Sequence, residues 1–214
     1  MKSQFLKNLY YATLGKLSVV SFYRHKVFPS QKHRNAFVNI GCGENYVDNM
    51  VNIDGNVFRR KDIWLDLTLG LPFPDNSIRG VYASHVLEHF SGDNARRLLS
   101  EAYRVLCPGG GVRIVVPSLE FAIEAYTTKT VSLLPEWPEK HDSIGGRFNN
   151  FLLCANQHLL MFDFSFLEEI LTGVGFREVS REKAHASRVF TPEHMRFEPV
   201  DQSAQLSLYV EGIK

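Results

Sequence analysis

The residues of this chain that could do chemistry stand where short apolar runs stop. Phe37-Val38-Asn39-Ile40 leads straight into Gly41-Cys42-Gly43, and Met50-Val51-Asn52-Ile53 ends at Asp54-Gly55. Ile63-Trp64-Leu65 ends at Asp66-Leu67, and Val81-Tyr82-Ala83 ends at Ser84-His85. Glycines after an apolar run let the backbone turn sharply and approach a ligand closely, because no Cβ stands in the way. The Asp54 carboxylate offers two acceptor oxygens, enough for both hydroxyls of a ribose, and Asp66 can accept from an exocyclic amine. Ser84 and His85 end their run beside the glycine turn, where the polar tail of such a ligand would lie. His85, His89 and His158 add imidazoles able to carry a proton near neutral pH. Each residue alone is as readily a turn or a cap; four coincident run ends point to one site.

Spacing narrows the ligand. A dinucleotide loop needs GxGxxG with an acidic residue about 20 positions on. Tyr46 occupies the third glycine position and Asp54 lies only 11 residues beyond Gly43, which disfavours nicotinamide and flavin dinucleotides. No GxxxxGK[ST] phosphate loop occurs. Cys42, Cys107 and Cys154 are far apart and include no CxxC pair. That argues against a disulfide framework and a structural zinc site, and for a reducing cytosol. No metal-ligand set is assigned.

The runs read as buried strands, short and β-branched, and a fifth, Val112 to Val116, ends at Pro117. A helix lies before it. Ser91 or Asp93 can cap that helix, Ala95, Leu98, Leu99, Ala102, Val105 and Leu106 form one face, and Pro108-Gly109-Gly110 stops it. Such alternation predicts a parallel sheet covered on both faces, with ligands outside the carboxyl ends of its strands. Leu119 to Tyr126 reads as another helix. Asp163 or Ser165 caps a further one through Phe166, Leu167, Ile170 and Leu171, ending at Gly173–Gly175. Phe176–Val179 and Gln205–Val210 then form an antiparallel pair at the sheet end. Fewer than ten residues separate the first strand from the second, and the second from the third. Ordinary parallel crossovers take a dozen or more, so the first helices are expected to shrink to a turn.

The chain has 214 residues, 44% hydrophobic and 22% charged, a composition that excludes wholesale disorder and coiled coil and suits one domain with an appendage. Charge divides it. Residues 1–43 carry seven of the 24 basic residues and none of the 23 acidic ones, leaving −6 on the rest. Residues 1–35 therefore read as a basic helical extension. Phe5, Leu6, Leu9, Tyr10, Leu14, Leu17 and Val20 recur at helical spacing, with Lys2, Lys7, Lys16 and Lys32 around them. The segment either packs on the domain or touches an anionic membrane peripherally. No apolar run reaches the roughly 20 residues of a membrane span. Residues 36–214 form the main domain, with a lid-like insertion at about 127–162 that carries His158.

Read together, these motifs resemble the class I S-adenosylmethionine-dependent methyltransferases. The resemblance runs through Val38-Asn39-Ile40-Gly41-Cys42-Gly43, Val51-Asn52-Ile53-Asp54 and Leu71-Pro72-Phe73-Pro74-Asp75-Asn76-Ser77. It continues in Ala83-Ser84-His85-Val86-Leu87-Glu88-His89 and Arg104-Val105-Leu106-Cys107-Pro108-Gly109-Gly110. Within the family the chain looks most like methyltransferases associated with surface-polysaccharide synthesis. The resemblance implies a Rossmann-like, doubly wound α/β sheet, mostly parallel with an antiparallel C-terminal strand. It implies S-adenosyl-L-methionine as cofactor, held by Asn39, Gly41, Cys42, Gly43, Asp54, Gly55, Asp66, Leu67, Ser84 and His85.

The reaction expected is transfer of a methyl group to a small-molecule or sugar acceptor in the cytoplasm, with the segment 1–35 as the route to any membrane contact. A hydroxyl acceptor needs a base, for which His158, His85 and His89 are the candidates. No [DN]PP[YFW] run closes the fourth strand, and the main domain is net negative; both argue against nucleic acid. The alternative is a non-catalytic protein that binds the cofactor, or a partner, on the same fold.

Overall fold

The computed structural model describes residue 10, residues 13–27 and residues 33–214. Seven strands form one sheet: β1 (Phe37–Ile40), β2 (Val51–Asp54), β3 (Ile63–Trp64), β4 (Ile78–Ser84), β5 (Leu106–Pro117), β6 (Arg177–Glu182) and β7 (Ser207–Ile213). Their order is β3-β2-β1-β4-β5-β7-β6. The first five strands pair in parallel, and β7 runs antiparallel to both β5 and β6. This is the Rossmann-like, mostly parallel α/β sheet expected. The chain winds outward from β1 to β3 and returns to β4, so the sheet reverses direction between β1 and β4.

Alternation along the strands assigns the two faces. Val38, Ile40, Val51, Ile53, Val112, Ile114, Val116, Leu208 and Val210 line the main core. Two helices, α2 (Gly92–Val105) and α5 (Phe164–Val174), cover it with Leu98, Leu99, Ala102, Leu167, Ile170 and Leu171. Each such aliphatic side chain contributes about 1.5–3 kcal/mol on full burial. Asp163 caps α5 by accepting from the Phe166 amide at 2.8 Å, and Gly175, at φ +119°, ends it. A satellite core joins α3 (Leu119–Thr127) to α4 (Ile144–Leu153) around Ala122, Ala125, Leu134 and Phe151.

Both faces of the sheet are covered as expected, the reverse one by a loop: Tyr82, Val115 and Tyr209 lie under Phe190 and Met195, from the segment between β6 and β7. The crossover at residues 41–50 is too short to supply a helix there, so a downstream loop does the covering. Two details of α2 are corrected. Helix α2 stops at Val105 rather than at Pro108, because Gly109 and Gly110 exchange backbone hydrogen bonds with Lys214 and draw the preceding residues into β5. Ser91 holds the N-cap position of α2 without a side-chain hydrogen bond.

Of the basic extension, the described part is a 3₁₀ turn (Leu14–Leu17) followed by α1 (Ser18–Val27). Lys2, Phe5, Leu6, Lys7, Leu9 and Lys32 lie outside the described residues. Ser18 and Phe22 are buried, and the Ser18 hydroxyl accepts from the Asp66 amide at 2.9 Å. Tyr10 donates to the Gly55 carbonyl at 2.8 Å. The extension thus packs beside the ends of β2 and β3.

Candidate active site

Ligands of open α/β sheets bind outside the carboxyl ends of the strands, where the strand order reverses. In this sheet that place lies over β1 and β4. The turn after β1 carries Gly41 at φ +63° and Gly43 at φ +53°. A Cβ on Gly41 would stand 2.6 Å from a methyl group of Val86, so the turn passes hard against the chain leaving β4. Asp54 ends β2 almost fully buried. One of its oxygens accepts from the Gly43 amide at 2.8 Å and the other from the Asn56 amide at 2.6 Å. The carboxylate therefore ties the loop after β1 to the loop after β2, and each oxygen keeps a further lone pair.

A cavity of about 430 Å³ opens beside this turn. Gly41, Asp54, Gly55, Asp66, Leu67, His85 and His89 line it, with Leu65, Thr68, Val86, Phe90, Asn94, Gln157 and Leu159. Asp66 also caps the short turn Leu67–Leu69, its Oδ1 accepting from the Thr68 amide at 2.9 Å and hydroxyl at 2.8 Å. Asn39, Cys42, Gly43 and Ser84, expected in the same site, do not line the cavity. Asn39 points into the loop after β1, donating to the Asn45 carbonyl at 2.8 Å and to Asn52 Oδ1 at 3.1 Å. Cys42 is buried with its sulfur 3.7 Å from the Arg60 carbonyl; burial, aided by the charge of Asp54, pushes its thiol up to about 12. Gly43 acts through its amide on Asp54.

A second cavity, of about 370 Å³, shares His85, His89 and Gln157 with the first. His158 is found here, with Glu88, Trp137, Asn150 and Phe151. His85 has a left-handed backbone, φ +54°, and its amide donates to the Val115 carbonyl at 2.8 Å. Its Nδ1 stands 3.2 Å from Glu88 Oε1 and its Nε2 3.2 Å from the Ser207 hydroxyl. His89 Nδ1 lies 2.9 Å from the Gln157 carbonyl, and His158 Nδ1 2.9 Å from the Leu152 carbonyl. Carbonyls only accept, so each Nδ1 is the donor in these contacts, and in the tautomer this selects Nε2 is left as the acceptor. Burial lowers the His158 pKa, against the attraction of Glu88, which favours its neutral form.

Glu88 is the residue that sequence reasoning missed. It is 1% exposed, and neither carboxylate oxygen has a hydrogen-bond partner among the described residues. The His85 contact has the distance of an ion pair without the alignment of a hydrogen bond. The available signal was the spacing His85, Glu88, His89. What completes the group is His158, seventy positions away in the chain, brought in because the Leu159 and Leu160 amides donate to the Glu88 carbonyl at 2.7 and 3.2 Å.

In fold the sheet resembles that of known S-adenosylmethionine-dependent methyltransferases. Residues 43–114 match the methyltransferase domain family. The structure resembles an S-adenosylmethionine-dependent methyltransferase from Archaeoglobus fulgidus (15% identity, TM-score 0.52), over 98% of this chain and 100% of that one. A Thermotoga maritima S-adenosylmethionine-dependent methyltransferase is 18% identical, TM-score 0.51, over 99% and 97% of the two chains. Phosphoethanolamine N-methyltransferase 2 of Haemonchus contortus, solved with S-adenosyl-L-methionine, is 15% identical, TM-score 0.52, over 91% of this chain and 52% of that one. No curated protein matches the sequence.

Proposed function

We propose that this protein is an S-adenosyl-L-methionine-dependent methyltransferase acting on a hydroxyl of a small-molecule or saccharide acceptor. The observation that carries the reading is the adjacency of two cavities, one built on Gly41 and Asp54 at the strand reversal, the other on histidines. The residues fit the cofactor. Gly41 admits a close backbone approach, Asp54 presents a buried carboxylate to a ribose diol, and Asp66 with Leu67 bounds the adenine end. About 430 Å³ falls in the range of small-molecule sites, roughly 300–1,000 Å³. Bound there, the cofactor supplies an electrophilic sulfonium methyl group.

The chain's own residues do the rest. Residues 127–162, the lid-like insertion, contribute Trp137, Asn150, Phe151 and His158 to the acceptor side, apolar walls with a few polar groups. Of the three residues shared by the two cavities, His85 and His89 bring imidazoles to the junction at which acceptor and methyl group would meet. An imidazole there, with Nε2 unprotonated, takes the hydroxyl proton; His158 and His85 are the candidates best placed in the acceptor cavity. The buried Glu88 carboxylate, set among histidines and without a hydrogen-bond partner among the described residues, favours the enzyme over a non-catalytic binding protein. A peripheral membrane role for α1 is also proposed, because Leu17, Val20, Tyr23 and Val27 are exposed beside Lys16, Arg24 and Lys26. Among the described residues no helix is long and apolar enough to cross a membrane.

The test is thermal unfolding with S-adenosylhomocysteine. Ligand at 100 times its dissociation constant adds about 2.7 kcal/mol, a rise of several degrees. Asp54→Ala should weaken binding by about 1.5–3 kcal/mol, the scale of hydrogen bonds to a charged group. No shift in the wild type would remove the cofactor reading; a full shift in the variant would remove Asp54 from the site.

A further inference from the structure

We infer that Glu88, His89 and His158 bind one divalent first-row transition-metal ion at the wall between the two cavities. Each offers one donor atom, and the three donors lie within 4.8 Å of one another. Donors around a zinc-sized ion at about 2.0–2.1 Å stand roughly 3.3–4 Å apart, so small side-chain adjustments close the site.

Three features set this group apart from an ordinary buried cluster. Both imidazoles donate Nδ1–H to backbone carbonyls, at 2.9 Å each, which orients Nε2 and raises its basicity as outer-shell partners of metal ligands do. The Glu88 carboxylate is 1% exposed yet has no hydrogen-bond partner among the described residues, while lining the acceptor cavity. Burying an ionised carboxylate costs several kcal/mol unless a cation compensates it. The ligand positions are also held from outside, since the Glu88 carbonyl accepts from Leu159 and Leu160 next to His158.

Two histidines and one carboxylate form a ligand set that leaves coordination positions open, as catalytic rather than structural sites do. All three residues line the acceptor cavity. An acceptor oxygen held there would lose its proton more readily, because a metal ion lowers the pKa of a bound hydroxyl, and His85, in the same cavity but outside the ligand set, would be the group to take it. That role rests on the methyl-transfer reading; the binding of the ion does not.

The experiment uses the full chain, stripped with chelator and titrated calorimetrically with Zn²⁺ alone, with Co²⁺ as the optical probe. One saturable equivalent per chain is expected. Glu88→Gln and His158→Asn should each weaken it by more than about 100-fold, since losing an outer-shell partner alone costs 10–100-fold. His141→Asn, outside the group, should bind as the wild type does. Melting curves confirm that each variant folds. No saturable uptake, or equal affinity in all three variants, overturns the inference. The S-adenosylhomocysteine shift is read on the same samples. A shift without metal uptake sinks the metal site alone, and uptake without a shift sinks the methyl-transfer reading alone.

Discussion

Two glycines share the turn after β1 and the left-handed region of backbone space, but their surroundings differ. At Gly41 an added Cβ would meet Val86 at 2.6 Å, whereas at Gly43 nothing lies within 4 Å. Gly43→Ala should therefore cost about 1–2 kcal/mol of backbone strain. Gly41→Ala adds a clash that must push the turn away from β4, and overpacking costs typically 1–3 kcal/mol more. The expected outcome is a larger fall in melting temperature for Gly41→Ala, with loss of the S-adenosylhomocysteine shift in that variant. Equal melting temperatures would show that Val86 yields freely. At this scale the sequence was readable where the backbone takes a rare conformation or a strand ends in a buried carboxylate, as at Gly41 and Asp54. It was not readable where a polar residue serves the loop itself. Asn39 and Cys42 carry the same pattern as ligand-binding residues, and only the fold shows their side chains turned into the loop. Glu88 was hidden for the opposite reason, since its partner His158 is distant in sequence.

At the scale of elements, the strands were legible because buried parallel strands are short continuous apolar runs, and their ends fell within a residue or a few of those expected. Boundaries set by long-range pairing were not. The start of β5 at Leu106 depends on Lys214, which no local pattern around Pro108 reveals. Helix α1 is readable in both senses. Ser18 and Phe22 fix one side to the domain, while Leu17, Val20, Tyr23 and Val27 are 56%, 69%, 59% and 62% exposed, an apolar row left to solvent. If that row meets a membrane, the protein should sediment with vesicles containing acidic phosphatidylserine, and raising the salt toward 0.5 M should release it. Val20→Glu should weaken binding without lowering the melting temperature, because the side chain supports no packing. Equal retention on neutral and acidic vesicles, or none on either, would return α1 to a purely packing role.

Taken whole, the molecule has an apolar face packed by helices and a reverse face organised by charge, and the second face sets a separate demand on stability. Arg113 is fully buried in β5. Its Nε and Nη2 donate to Glu198 at 2.7 and 2.9 Å, and its Nη1 to Glu211 at 3.0 Å. The remaining donors reach the carbonyls of Ala186 and Lys183 at 2.8 and 2.9 Å, so all five N–H groups are satisfied. Glu198 also accepts from the Tyr82 hydroxyl and the His185 amide, and Glu211 from the Arg188 amide. One guanidinium thus fastens the loop that roofs a face the short crossovers leave without helices. Arg113→Met keeps the volume but strands two buried carboxylates, and breaking a buried pair costs about 3–5 kcal/mol. At roughly 2–4 °C per kcal/mol for a chain of this size, the melting temperature should fall by about 6–20 °C. Lysine cannot reproduce five donors in a plane, so Arg113→Lys should recover only part of the loss. Protease sensitivity should appear first within residues 183–198, the segment the guanidinium holds. None of these residues lines the cavity beside Gly41 and Asp54, so S-adenosylhomocysteine should still raise the melting temperature of Arg113→Met. A variant as stable as the wild type would show that the two carboxylates are carried by their backbone amides alone.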